Sequence, residues 1–209
     1  MLFLLISAFF TWMAARELVN PTEKRDLFSV GYMVVLISLA VAFAMPSYQT
    51  WRLEVFLSEQ ASNIADRPGV VVKCNSLFKT IVDGKGLGTL AGTAYYDTDE
   101  IFFENGWCRS FKQYLRDPEH ATLDEVFSMH VFVHEVMHIR GERNEKKTDC
   151  QAIQRNHHVG VELGVDAVIA KRNALRYYNQ IYPRHPYYDK RCRAGGELDE
   201  KLENSIWAT

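Results

Sequence analysis

At 209 residues, with 24 basic and 26 acidic side chains, the chain carries a formal charge of −2. That balance excludes the basic excess of a nucleic-acid-binding surface, so no nucleic-acid partner is expected. The length suits one domain with accessory segments. Residues 1–48 are apolar runs broken by one charged patch, and the remainder has the mixed composition of a soluble domain.

The first apolar run, LFLLISAFFTWMAA (2–15), is uncharged but short for a full span. The second, FSVGYMVVLISLAVAFAMPSY (28–48), reaches the ~20 residues needed to cross a bilayer and predicts a transmembrane helix. Between them Arg16, Lys24 and Arg25 lie in one short linker, whereas only Arg52 follows the second run closely. Cationic residues beside spans stay on the cytoplasmic side. Residues 1–48 are therefore expected to anchor the protein, and residues 49–209 to form an extracytoplasmic domain in the cell envelope. Ala42-Phe43-Ala44 also fits a cleavage pattern behind an apolar core. A signal peptide rarely opens with an additional apolar segment and a charged loop, so an uncleaved anchor is favoured.

WRLEVFLSEQASNIAD, from Trp51, has a helical period and is expected to form a stalk or first helix. RPGVVVKC (67–74) reads as a short buried strand behind Pro-Gly. DGKGLGTLAGT (83–93) lacks the order of a phosphate loop and is expected to be a flexible loop or hairpin. TAYYDTDEIFFENGWC (93–108) places aromatic and β-branched residues around Asp97-Thr98-Asp99, which suggests a hairpin or two edge strands. Arg116-Asp117-Pro118 marks a break. A helix is predicted over 123–140, with Thr122 and Glu125 as a capping box and Gly141 at its end. VFSMHVFVHEVMHI within it is apolar nearly all round, so this helix belongs in a core. Asn144 can cap a second helix, weakened by Gly160 and Gly164. A third, DAVIAKRNALRYYNQIY, precedes Pro183 and a loop-rich tail. The fold class expected is α+β, mainly helical, with a small sheet.

His134-Glu135-Val136-Met137-His138 lies inside the predicted core helix. His134 and His138 are one turn apart and project from one face, together with Phe127 and Val131. Two imidazoles so placed can reach one ion, while the carboxylate of Glu135 can reach a water molecule there. Buried histidines and a buried glutamate require partners, which a metal provides. A catalytic zinc takes three protein ligands and keeps one position open. Glu145 and Asp149, again one turn apart at the start of the next helix, can supply a third ligand and a hydrogen bond to a ligand imidazole. His130 is expected to be a core histidine on a neighbouring face, His157 and His158 a polar helix end, and Lys146 and Lys147 a solvated face.

Four cysteines, Cys74, Cys108, Cys150 and Cys192, all fall in the presumed outer domain, separated by 33, 41 and 41 residues. An even count in an exported domain implies two disulfides, and no C-x-x-C supports a cysteine zinc site. Three connectivities are open, of which Cys74 with Cys108 and Cys150 with Cys192 is the one expected.

HEVMH (134–138) followed by EKKTD (145–149) resembles the zincin metallopeptidases, specifically the gluzincins with HExxH then ExxxD. The resemblance spans 134–149 only. It implies zinc at His134, His138 and Glu145, Glu135 as general base, and Asp149 in support, with one of His185, Tyr187 and Tyr188 in the tail to hold the developing oxyanion, as zincins use a His or Tyr. It also implies a zincin-like domain whose edge strand, near Ala94 to Glu104, holds a peptide substrate in extended pairing. One departure is the short connection from His138 to Glu145, with Gly141, which looks like a metzincin. There the third ligand would fall at Asn144, whose neutral amide is a poor zinc ligand. The short form is also similar to membrane-anchored HExxH proteins of actinobacteria and their phages. The function expected is zinc-dependent peptide hydrolysis at a membrane. The alternatives are a cell-wall amidase and a zinc-containing, non-catalytic subunit of a membrane complex.

Overall fold

The computed structural model describes residues 2–19, 27–75, 92–95 and 97–208. The chain divides into two compact units, Met1–Leu53 and Glu54–Thr209. Most of the loop expected over 83–93 lies outside the described residues.

The first unit holds helix α1 (Leu2–Val19) and the beginning of α2 (Leu27–Ala65). The Ser7 hydroxyl donates to the Ala40 carbonyl at 2.8 Å, and Phe3 and Phe10 stack on Phe43. Small Ala14 and Ala40 are buried there with Leu36, the close approach that small residues permit between apolar helices. Large apolar side chains elsewhere on both helices are exposed, Leu5, Trp12, Val34 and Val41 among them. Both helices are long and apolar enough to cross a membrane, and so could anchor the chain in one. α1 runs past Ala15 to Val19, a length that brings it within range of a span. The helix expected from Trp51 is not a separate element but the continuation of α2. Pro46 removes one backbone donor without ending the helix, and no glycine follows to break it.

In the second unit the strands β1 (Val71–Asn75), β2 (Gly92–Tyr95) and β3 (Glu100–Glu104) form a sheet in the order β1-β3-β2. β1 runs parallel to β3, with Val72 opposite Ile101, and β2 antiparallel, with Ala94 opposite Ile101. The hairpin expected around Asp97-Thr98-Asp99 is therefore present. Its second strand is central rather than an edge, because β1 pairs with its other side. Ile101 and Phe103 point into the core with Val70 and Val72, the alternation of a half-buried sheet.

The outer edge of β1 is covered by the last turns of α2. Ser62 Oγ accepts from Val70 N (3.1 Å), Ser58 Oγ from Val72 N (2.9 Å), and Glu54 Oε1 from Cys74 N (2.8 Å). Four residues of helix rise about 6 Å and two of strand about 6.6 Å, so the two ladders stay in step.

The strand expected to reach Cys108 gives way at Asn105 to helix α3 (Asn105–Arg116), which buries Cys108, Phe111 and Tyr114. Trp107, Cys108, Phe111, Tyr114 and Leu115 follow a helical period that outweighs local β-propensity. The Cys74–Cys108 disulfide ties β1 to α3. α4 (Leu123–Ile139) is the central helix, buried continuously from Ser128 to Ile139. Its capping box forms as expected: Thr122 Oγ1 accepts from Glu125 N, and the Glu125 carboxylate accepts from Thr122 N. Gly141, at φ +110°, turns the chain with its N–H on the His138 carbonyl.

α5 (Glu145–Glu162) is capped by Asn144, whose Oδ1 accepts from Lys147 N, and returns against α4. Gly160 does not weaken this helix as expected. A Cβ there would stand 3.0 Å from Ala170 Cβ, so the glycine lets α5 and α6 (Ala167–Arg176) approach closely. A π-helical turn (Tyr177–Ile181) and a 3-10 turn (Tyr182–Arg184) lead into the tail. The Cys150–Cys192 disulfide fastens that tail to α5. Both bridges have the connectivity expected.

Candidate metal centre

Because α4 is apolar on nearly every side, its buried histidines need partners from what packs on it, and α5 with the turn before it supplies them. His134 Nε2 lies 3.1 Å and His138 Nε2 3.3 Å from the same atom, Glu145 Oε2. The other nitrogens are also engaged. His134 Nδ1 is 3.4 Å from Asp149 Oδ1, and His138 Nδ1 donates to the Glu142 carbonyl at 2.7 Å. The turn at Gly141 thus brings together the two imidazoles, Glu145 and Asp149.

Two groups of side chains could hold a metal ion. One is His134, His138 and Glu145; the other is His130, His134 and Asp149, with the donor atoms of each group within 4.8 Å of one another. The first group borders a cleft of about 350 Å³, whose lining includes Gly92, Phe127, Glu135, His185 and Tyr187. The second lines the same cleft but is more deeply buried, His130 and Asp149 being at most 1% exposed. His130 departs from expectation. It is buried, but it shares the face of His134 rather than a neighbouring one, with its Nε2 2.9 Å from Asp149 Oδ1. The spacing from His130 to His134 equals that from His134 to His138, and this repeat was the signal in the sequence.

Glu135 is 7% exposed and packs directly on Gly92 of β2. Burial raises its pKa, opposed by the imidazoles of His134 and His138 and by the Ala94 N–H. Burial lowers the pKa of His134, but hydrogen bonds to Asp149 and Glu145 and the charge on Glu135 outweigh it and lift it to about 9. The hydrogen bond from His134 lowers Glu145. Burial would raise Asp149, but the imidazoles of His130 and His134 hold its carboxyl well below the usual range.

Of the tail candidates, His185 and Tyr187 line the cleft. Tyr187 stacks on the His134 ring at 5.7 Å and 17°, and His185 Nδ1 is 3.7 Å from Asp149 Oδ1. Tyr188 does not join them; it is 47% exposed and packs on Tyr182. His157 and His158 lie along α5 away from the cleft, His158 pairing with Glu162. Lys146 and Lys147 are exposed. Asn144 serves as the helix cap.

The donor set suits a divalent ion of intermediate softness: two imidazole nitrogens and one carboxylate oxygen, each imidazole held from its far side by an oxygen. A comparison with known protein families, curated proteins and solved structures finds no match.

Proposed function

We propose that this protein is a membrane-anchored, zinc-dependent peptidase of the zincin type, with residues 54–209 outside the cytoplasm. The observation that carries it is the convergence of His134 Nε2 and His138 Nε2 on Glu145 Oε2, with Glu135 on the same helical turn. Glu145 rather than Asn144 is the third ligand, since Asn144 is occupied in capping α5. The group with Glu145 is preferred because that carboxylate is 45% exposed, whereas His130 and Asp149 are fully buried and already bonded to each other. A zinc ion held there supplies Lewis acidity, which polarises a carbonyl and acidifies a water molecule.

Glu135 takes the proton from the attacking water and delivers it to the leaving amine. Its burial, which favours the neutral form, suits a group that must both accept and release a proton. His185 and Tyr187, from the tail, hold the carbonyl oxygen as it gains charge. Among the described strands β2 stands at the edge, and its residues Gly92 to Ala94 line the cleft. A peptide in extended form can add to that edge by main-chain hydrogen bonds. Two disulfides and two apolar N-terminal helices support a place at the membrane with the domain in an oxidising compartment.

The test is a peptide-library digest by the purified full-length protein, with metal content measured in parallel. Wild type should carry about one zinc per chain and cleave, Glu135→Gln should carry zinc without cleaving, and His134→Ala should lose the metal. Undiminished cleavage by Glu135→Gln would remove the mechanism. Cleavage of peptidoglycan fragments in place of peptides would make the protein an amidase.

A further inference from the structure

We infer that His130 is a positioning residue of the metal site, acting through Asp149 on His134; this rests on the proposed role of His134 as a ligand. A histidine at the centre of an apolar helix costs desolvation unless both ring nitrogens are satisfied. Here both are. The Asn156 side-chain amide donates to Nδ1 at 2.9 Å, which puts the ring proton on Nε2, 2.9 Å from Asp149 Oδ1. The ring plane is fixed as well. Tyr177 stacks on His130 with centroids 3.6 Å apart at 17°, and its hydroxyl reaches the same Asp149 Oδ1 at 3.4 Å.

These contacts form a relay of fixed direction. Asn156 orients His130, His130 donates to Asp149 Oδ1, and that same oxygen stands 3.4 Å from His134 Nδ1. With a proton kept on Nδ1, the lone pair of His134 Nε2 faces Glu145 and the cleft. Asp149 depends on this support because its Oδ2 is buried with no partner among the described residues. The carboxylate is held through Oδ1 alone, and His130 makes the shortest contact to that atom. A phenylalanine at 130 could still stack on Tyr177 but would lose both hydrogen bonds.

The experiment uses the full-length protein in detergent. Zinc affinity is measured by competition with a chromophoric chelator, and the cobalt-substituted form by its visible spectrum. His130→Phe keeps volume and stacking but removes the relay. It should weaken zinc binding about 10- to 100-fold, the usual effect of losing an outer hydrogen bond to a ligand, and shift the cobalt bands. His130→Gln, which restores a donor, should recover most of the affinity. A His130→Phe protein with wild-type affinity and an unchanged spectrum overturns the proposal. Should that variant not fold, 15N NMR of histidine-labelled wild type decides. A proton on Nε2 of His130 supports the relay, and one on Nδ1 overturns it. A wild-type protein that binds no zinc overturns the metal site itself and this inference with it, whereas a normal His130→Phe beside a zinc-loaded wild type overturns only the inference.

Discussion

Gly92 lies so close to Glu135 that no side chain fits between them: a Cβ at this position would stand 2.9 Å from Glu135 Cγ and 3.1 Å from Oε1. Gly92→Ala must therefore push the carboxylate from its place. The glutamate side chain gives way more readily than two backbones, so the stability cost should be about 1 kcal/mol, the low end for overpacking. Turnover should fall about 10- to 100-fold, the consequence of a misplaced base, with zinc content unchanged. Full turnover in Gly92→Ala would show that the position of Glu135 is not set by β2.

In the metal-free protein His134 holds a proton with a pKa of about 9. A metal must expel that proton, so affinity should rise about tenfold per pH unit and level off above pH 9. Calorimetry in buffers of different ionisation enthalpy should detect about one proton released per ion near neutral pH. The sign for stability follows from a raised folded-state pKa. The contribution of protonated His134 to the metal-free fold is complete below the ordinary value of 6.5 and disappears as pH rises through about 9.

Glu145 and Asn144 are adjacent but do different work, and substitution should separate them. Asn144→Ala loses the helix cap at a cost of about 1 kcal/mol and keeps zinc. Glu145→Ala should lose zinc. Thermal melts with and without chelator should therefore diverge by about 4 kcal/mol for wild type at a thousandfold excess of zinc over Kd, and coincide for Glu145→Ala. A zinc-dependent melt in Glu145→Ala would move the third ligand elsewhere.

The Cys150–Cys192 bridge joins the residue after Asp149 to the tail that carries His185 and Tyr187. Replacing both cysteines with serine should cost about 2–5 kcal/mol and weaken peptide binding more than zinc binding, since the ligands lie on α4 and α5. The Cys74–Cys108 bridge fastens β1 to α3, away from the cleft lining. Its removal should lower the melting temperature and leave the ratio of peptide to zinc affinity unchanged.

Where one helix carries the whole signal, the sequence is legible. Thr122, Glu125 and Gly141 bounded α4 because caps are local chemistry, and the four-residue spacing of His134 and His138 set a shared face. α3 is not legible because Asn105, Gly106 and Trp107 follow a strand directly, so β-propensity masks a helical period. His130 and Tyr177 could not be joined from the chain alone. They lie on different elements, and a π-helical turn, which has no simple sequence signature, brings Tyr177 over the imidazole. Gly92 was hidden in a glycine-rich run whose only visible property was flexibility.

The serines and glutamate that α2 lends to β1 also decide how the domain can be handled and how it can go wrong. A fragment trimmed at Ala65 would strip three amide groups of their acceptors and leave a naked, valine-rich border ready to recruit a second chain. Solubility of any shortened form should hinge on keeping those three side chains, not on removing the greasy segment as completely as possible.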